Sequence, residues 1–587
     1  MSLVSVRLQP GNRFLLISYF LLSAVPFVPI VWGRSIAQPW NFLVVEYTLW
    51  LMVWAVFKRA EFLHWLLIPA FVALPVELYL NIFFRQRISA HHLGIIVESS
   101  PRESLEFLGG AIWPAIAVFV LCAIWWWRCW LAARKSGNLD WTHRSRWWVL
   151  ALLVVGLGVW AYGGIAGVRA QADSATVHAV EVSSNPASLD VQAIGRTWPF
   201  GLYVRAYDFW SERHRLGTLS AASRAFKFGA AQFAQRNEAQ VYVLVIGESS
   251  RFDRWSINGY TRETNPLLKN EANMVSLSDT IAAVSATRLS VPVILTRKPA
   301  TESLKDGFSE KSIVAAFKEA GFKTFWFSNQ LTFSEYDTPV SVFANEADVT
   351  QFLNPGGFTN KSNFDQILLP SLASALKDGA PKKLIVLHTL GSHWNYSQRH
   401  PANFDQWKPS LLGLEGTMVS DIKMKTELNN SYDNSVLYTD WFLAQVISAL
   451  KTSKQMAAMF YLSDHGETLF DNSCKFAFHG NNTQYEFHVP AIVWYSAEYE
   501  TVHPGKIVEL RHNRNAKIST ENIFHSFLDM ADVRYSDERL NRSIFDRQFT
   551  PQTRYVDSHG WADYDNANMQ GDCREVMDKG TPLAQAK

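Results

Sequence analysis

The chain has 587 residues, 48% of them hydrophobic and only 18% charged, with a formal net charge of +2. The charged share lies below the ~25% usual for soluble domains, and 14 of the 23 Trp fall before residue 166. This excludes disorder, a collagen-like fibre and a soluble N-terminal quarter. Near-neutral charge gives no support to a nucleic-acid-binding surface, and a total of 4 Cys excludes a disulfide-rich scaffold.

Five apolar runs come first: Phe14–Trp32, Phe42–Phe57, Phe62–Phe84, Ala111–Leu131 and Trp147–Tyr162. A membrane span needs roughly 17–25 such residues, so residues 1–165 are predicted to be a five-helix transmembrane domain. A cleaved signal peptide is disfavoured because four more runs come after the first. With the N-terminus inside, eight Lys and Arg flank the inner ends (Arg7, Arg13, Lys58, Arg59, Arg134, Lys135, Arg144, Arg146) and four the outer (Arg34, Arg85, Arg87, Arg102). Basic residues favour the cytoplasmic side, so everything after residue 165 is expected outside, in the periplasm of a bacterium. Glu46 and Glu77 lie within apolar runs, nearer the outer end. Ionisable groups there are costly and are functional candidates by default; the plainer reading is a hydrogen bond between helices.

Residues 166–235 read as a periplasmic bridging segment, with Phe200–Arg213 as an amphipathic helix. From 236 to 550 the pattern alternates. Val241–Ile246, Lys323–Phe327, Lys383–Leu387, Met456–Leu462 and Val489–Tyr495 read as strands, and Ser312–Ala320, Ser435–Leu450 and Ile523–Met530 as helices. Such alternation predicts an α/β domain with a mainly parallel sheet and a site beyond the carboxyl ends of its strands. The polar tail 551–587 is expected to pack poorly.

The residues just beyond the strand ends carry the chemistry. Glu248 comes after the first strand, His388 and His393 after another, Asp464 and His465 after a third, and His479 a little later. Carboxylates mixed with imidazoles suit zinc or a similar divalent ion. A lone His is more often a satisfied core or capping group, but three strand ends bearing such ligands together point to a metal crevice. In Ala283–Pro292, Ser285, Thr287 and Ser290 are equal candidates for a hydroxyl activated by a metal; the commoner work of Ser and Thr at a helix start is capping.

At this point the motifs resemble those of the bacterial phosphoethanolamine transferases of the alkaline phosphatase and sulfatase superfamily. Val245-Ile-Gly-Glu-Ser-Ser-Arg251 with Asn258-Gly-Tyr260, Leu387-His-Thr-Leu-Gly-Ser-His393, Tyr432-Asp-Asn-Ser435 with Tyr438-Thr-Asp440, Ser463-Asp-His-Gly-Glu467 and His479-Gly480 are similar to the family's motifs. Thr287, before Ser290-Val-Pro292, stands where the family keeps its nucleophile. The resemblance implies a membrane-bound, zinc-dependent transferase that moves phosphoethanolamine from phosphatidylethanolamine, through a covalent threonine intermediate, to lipid A, lipopolysaccharide core or a glycan. It implies one or two zinc ions, with Glu248, Thr287, Asp464 and His465 as ligands. His393 and His479 would face the phosphate or a second metal, and His388 would assist. Glu103 matches a family Glu that meets the substrate amine, with Ser99 in place of a Thr and Ile95 in place of an Asn. Phe327-Ser-Asn-Gln330 resembles the subgroup without a disulfide-bonded loop. The alternatives are a phosphoglycerol transferase or phosphodiesterase of the same fold, and a binding or sensor module with a decayed site. In an oxidising periplasm Cys474 and Cys573 are candidates for a disulfide.

Overall fold

The computed structural model of the chain describes residues 10–32, 39–84, 87–88, 93, 112–156, 194–211, 225–233, 238–302, 310–330, 339–354, 364–414 and 421–580. The chain divides into two compact units, the first mainly from residues up to 211, the second mainly from 212–583.

The first unit is helical. Among the described residues, Trp113–Lys135 alone is long and apolar enough to cross a bilayer; Ala60–Leu66 and Ile68–Ile82 reach that length together across a 48° bend, and Leu43–Phe57 and Ser145–Gly156 are apolar but shorter. The first predicted run is not one helix. Pro10–Ser23 is α-helical and Val25–Trp32 continues as 3-10 helix, because Pro26 and Pro29 lack the N–H an α-helix needs. Both carboxylates within the apolar runs are buried and engaged. Glu46 accepts from Ser23 Oγ (2.9 Å) and Trp50 Nε1 (3.0 Å). Glu77 Oε2 accepts from the Ile88 N–H (2.9 Å) and lies 3.1 Å from the Arg205 guanidinium, which also donates to the Ile88 carbonyl at 2.7 Å. Glu77 is therefore half of an ion pair that ties helix 201–211 to helix Ile68–Tyr79, the plainer of the two roles its position allowed.

The second unit is built on one seven-stranded sheet. Its strands are β1 Gln240–Gly247, β2 Met274–Leu277, β3 Lys323–Ser328, β4 Val349–Phe352, β5 Lys382–His388, β6 Met456–Ser463 and β7 Ala491–Tyr495, in spatial order β2-β7-β6-β1-β5-β3-β4. β4, β3, β5, β1 and β6 run parallel, and β7 is antiparallel to both its neighbours. Every residue of β1 is buried, as expected of a central parallel strand, whose faces are both covered. Tyr242, Leu244 and Ile246 face helices α1 Thr287–Leu295, α2 Ile313–Glu319 and α5 Ile523–Met530. Val241, Val243 and Val245 face α3 Leu368–Lys377 and α4 Lys425–Ser453. The result is a three-layer α/β/α sandwich, and each fully buried aliphatic side chain contributes about 1.5–3 kcal/mol.

The α/β prediction holds, with three differences. β2 and β4 are edge strands of four residues each, too short to carry a periodic signal. α4 starts ten residues before the predicted Ser435, because its polar first half is buried and bonded rather than solvated. Asp433, for example, takes Arg254, Arg262 and Tyr260. The tail, expected to pack poorly, forms two hairpins in its described part, Tyr555–Asp557 with Trp561–Asp563 and Asn568–Gln570 with Glu575–Met577. Val556, Ala562 and Val576 bury against Ile281 and Phe487, and Cys573 is joined to Cys474 by the expected disulfide.

Candidate active site

The parallel strands deliver their carboxyl ends to one side. Gly247 closes β1 because a Cβ there would lie 2.6 Å from the Tyr461 ring on β6. The next residue, Glu248, is fully buried. β6 ends in the same register, Gly247 opposite Ser463, so Asp464 and His465 emerge beside it. Gly391 holds φ +45°, and a Cβ there would meet the Glu248 carbonyl at 2.7 Å; the loop carrying His393 therefore lies against Glu248, with the Ser392 N–H donating to that carbonyl (2.9 Å).

Two ligand groups result, Glu248–Asp464–His465 and His465–Glu467–His479, in each of which one atom per residue lies within 4.8 Å of the others. Thr287, the first residue of α1, brings its hydroxyl to the first group: Oγ1 donates to Glu248 Oε2 (2.9 Å) and lies 3.3 Å from His465 Nε2. His465 Nδ1 lies 2.8 Å from the Gly466 carbonyl, which holds that nitrogen as the donor and turns Nε2 toward Glu248 Oε1 at 3.3 Å. Asp464 Oδ1 accepts from the Ser249 and His465 N–H groups, while its buried Oδ2 has no hydrogen-bond partner among the described residues.

Charge in this pocket is unbalanced. Burial, reinforced by Glu248, lifts the Asp464 carboxyl to about 7. Burial would also raise Glu248, but the hydrogen bond and charge of His465, with the charge of His393, hold it well below the carboxylate range. His465 is pulled down by burial and pushed up, to about 10, by Asp464 and Glu248. Two carboxylates, a free buried oxygen and an oriented Nε2 are the donor set that a cation of zinc's type accepts, so Glu248, Asp464, His465 and the Thr287 hydroxyl fit a metal.

The other candidates fall as follows. His479 joins the cluster, its Nδ1 2.9 Å from Glu467 Oε1; burial lowers it and Glu467 more than compensates. His388 belongs to neither group. It lies buried on β5 with Nδ1 3.4 Å from Ser328 Oγ and its ring edge-on to Trp326, and burial lowers it to about 4 despite the charge of Glu248. Ser290 is a structural hydroxyl, donating to the Asp464 carbonyl at 2.6 Å. Ser285 is buried and in neither ligand group. Glu103 and Ser99 lie outside the described residues.

Three further residues acquire a role only in the folded chain. Glu467 is visible in the Ser463–Glu467 motif and is a ligand-type carboxylate here. Gln330 donates to Glu248 Oε2 (3.0 Å) and to the Thr389 carbonyl (2.9 Å). Asp365 accepts from the Leu390 (2.7 Å) and Gly391 (2.9 Å) N–H groups and from Asn329 (2.9 Å), clamping the loop of His393; nothing in its local sequence marks it.

The sulfatase family pattern matches residues 240–533. Phosphoethanolamine transferase EptC of Escherichia coli (strain K12) is 30% identical over 328 residues, 54% of this chain and 56% of that protein, so the chain aligns with about half the length of that relative. The crystal structure of the C-terminal periplasmic domain of E. coli EptC in complex with Zn superposes with a TM-score of 0.53 at 28% identity, covering 59% of this chain and 98% of that one. The integral membrane lipooligosaccharide phosphoethanolamine transferase A (EptA) of Neisseria meningitidis gives 0.65 at 20% identity over 91% of this chain and 97% of that one, a likeness of fold.

Proposed function

Because the chain belongs to the sulfatase family, with a threonine hydroxyl set against two carboxylates and an imidazole, we propose that it is a membrane-bound transferase. It moves phosphoethanolamine from phosphatidylethanolamine to lipid A, lipopolysaccharide core or an envelope glycan. The observation that carries this reading is Thr287 Oγ1 at 2.9 Å from Glu248 and 3.3 Å from His465, beside the free oxygen of Asp464. The similarity to EptC and the apolar helices of the first unit support the lipid donor. Five spans, residues 1–165, would anchor the chain in a bacterial inner membrane, with residues 236–550 catalytic in the periplasm.

Glu248, Asp464, His465 and the Thr287 hydroxyl would hold zinc, with His465, Glu467 and His479 available to a second ion. When bound, the metal would lower the hydroxyl's pKa and neutralise charge on the phosphoryl oxygens. Thr287 Oγ1 passes its proton to the Glu248 carboxylate that accepts its hydrogen bond and attacks the donor phosphorus, the bond to the diacylglycerol oxygen breaks, and that oxygen takes a proton from His393 or His479. The headgroup then sits on Thr287. An acceptor hydroxyl, giving its proton to the same imidazole, or an ionised acceptor phosphate oxygen, with water reprotonating the imidazole, attacks the same phosphorus; the bond to Oγ1 breaks, Oγ1 takes its proton back from Glu248, and Thr287 is restored. Two displacements divide one difficult step into two. Glu103 and Ser99 would receive the ethanolamine end, and Gln330 orients Glu248.

The test is donor choice. Reconstituted protein should release diacylglycerol from phosphatidylethanolamine and not from phosphatidylglycerol. Release from phosphatidylglycerol alone would make it a phosphoglycerol transferase, and headgroup loss to water without transfer would make it a phosphodiesterase.

A further inference from the structure

After the paired strands Thr468–Leu469 and Ala477–Phe478, the chain turns through His479, Gly480, Asn481 and Asn482. The carboxylate of Glu486, fully buried, receives the N–H groups of three consecutive residues in that turn: Gly480 at 2.9 Å, Asn481 at 3.1 Å and Asn482 at 3.1 Å. Its Oε1 also accepts from Thr468 Oγ1 at 2.6 Å. The Asn481 side chain returns to the Ala477 and Phe478 carbonyls at 3.1 and 3.0 Å. Successive peptide N–H groups converging in this way form an anion-binding concavity, which here is filled by the protein's own carboxylate. On the site side of the turn, His479 meets Glu467, and its ring centroid lies 4.5 Å from that of His465.

The far side of the turn is held by the C-terminal hairpins. Val576 N–H donates to the Asn482 carbonyl (2.9 Å) and Gln484 N–H to the Arg574 carbonyl (3.0 Å). Cys573 is bonded to Cys474, which lies in the loop between the two paired strands. The hairpins also receive the segment leading to Thr287, through Asp557 N–H and the Ala283 carbonyl (2.9 Å).

We infer that Glu486 is the positioning residue of His479, fixing the turn that aims the imidazole, with the C-terminal hairpins bracing that turn and the Thr287 segment together. This rests on the transfer reading, in which His479 serves the phosphoryl group. Glu486 belongs to neither ligand group, so its loss should act through His479. Glu486→Gln keeps the volume but replaces one acceptor oxygen with an amide NH2 that opposes the converging N–H donors.

The test is a double-mutant cycle in the full-length protein, assayed with phosphatidylethanolamine and with an aryl phosphodiester, with zinc content measured alongside. Glu486→Gln should lower kcat by about tenfold or more, leaving KM and zinc content in place. The same change in a His479→Ala background should have little further effect, because the two act as a unit. Unchanged turnover in Glu486→Gln, or an equal fall in the His479→Ala background, overturns the inference. If Glu486→Gln does not fold, Asn481→Ala, which loses only the two carbonyl bonds of that side chain, goes through the same cycle, and additivity there overturns it equally. The aryl substrate keeps the two readings apart. Wild-type protein that cleaves it but ignores phosphatidylethanolamine refutes the donor assignment and leaves the cycle readable.

Discussion

Three hydroxyls stand within six residues of one another, and the fold gives two of them different tasks. Thr287 opens α1 and faces the carboxylates, whereas Ser290, one turn further in, ties the helix to the Asp464 carbonyl. Ser290→Ala should therefore cost about 1 kcal/mol of stability and retain the headgroup adduct on Thr287, measured by thermal unfolding and peptide mass spectrometry; loss of the adduct with normal stability would contradict this. Alanine at Glu248, Asp464 or His465 should remove tightly bound zinc together with activity, whereas His393→Ala should cost activity and leave most of that zinc, by metal analysis of purified protein. Full zinc retention in the first group would count against the ligand set. Glu248, Asp464, His465 and His479 are legible in sequence because each comes after an apolar strand or a short turn beyond one. Which hydroxyl faces them is not legible from residues alone, because that depends on the helix phase of α1 relative to β6; only the family resemblance singles out Thr287. Glu467 belongs to a legible motif, but its role is hidden, since its partner His479 is twelve residues away and meets it only across a hairpin.

At the scale of elements, the site depends on loops held by buried carboxylates. Asp365 precedes α3 and holds the Leu390-Gly391 backbone from outside the ligand set. Asp365→Ala would leave two buried N–H groups unpaired, at about 1–3 kcal/mol each, so unfolding should show a loss of about 3 kcal/mol; a loss under ~0.5 kcal/mol would mean the loop is held elsewhere. The sheet's central strands can be read from their apolar runs, because a strand buried on both faces has no polar positions. The C-terminal hairpins cannot, because their three-residue strands are short and depend on distant partners, Ile281 and Phe487. Their disulfide closes a sequence separation of 99 residues and should contribute about 2–4 kcal/mol. A thiol count on unfolded, unreduced protein should find the two thiols of Cys122 and Cys129; four would refute the pairing.

The whole molecule joins a helical, apolar unit to an α/β unit of the sulfatase family. Its stability should depend on pH through buried imidazoles. His525, on α5, is held down to about 3 by burial and by the charges of Arg542, Arg539 and Arg297. The unfolded chain binds its proton near 6.5, so between pH 6.5 and 3 the unfolded state holds more protons and stability falls as pH falls. About 2 kcal/mol should be lost from pH 7 to pH 5, and His525→Gln should flatten that part of the melting-temperature profile; an unchanged profile would place the pH dependence elsewhere. The apolar runs are legible from composition and length, but among the described residues only Trp113–Lys135 is by itself a helix long and apolar enough to span a bilayer, and the prolines that change the first run from α to 3-10 helix have to be seen in place. The most direct test of the Thr287 mechanism is to incubate the full-length protein with headgroup-labelled phosphatidylethanolamine, without acceptor, and to map the label by peptide mass spectrometry. One phosphoethanolamine adduct is expected, on Thr287, absent from Thr287→Ala and released when acceptor is added. Label on Ser285 or Ser290, or normal transfer by Thr287→Ala, would contradict the mechanism.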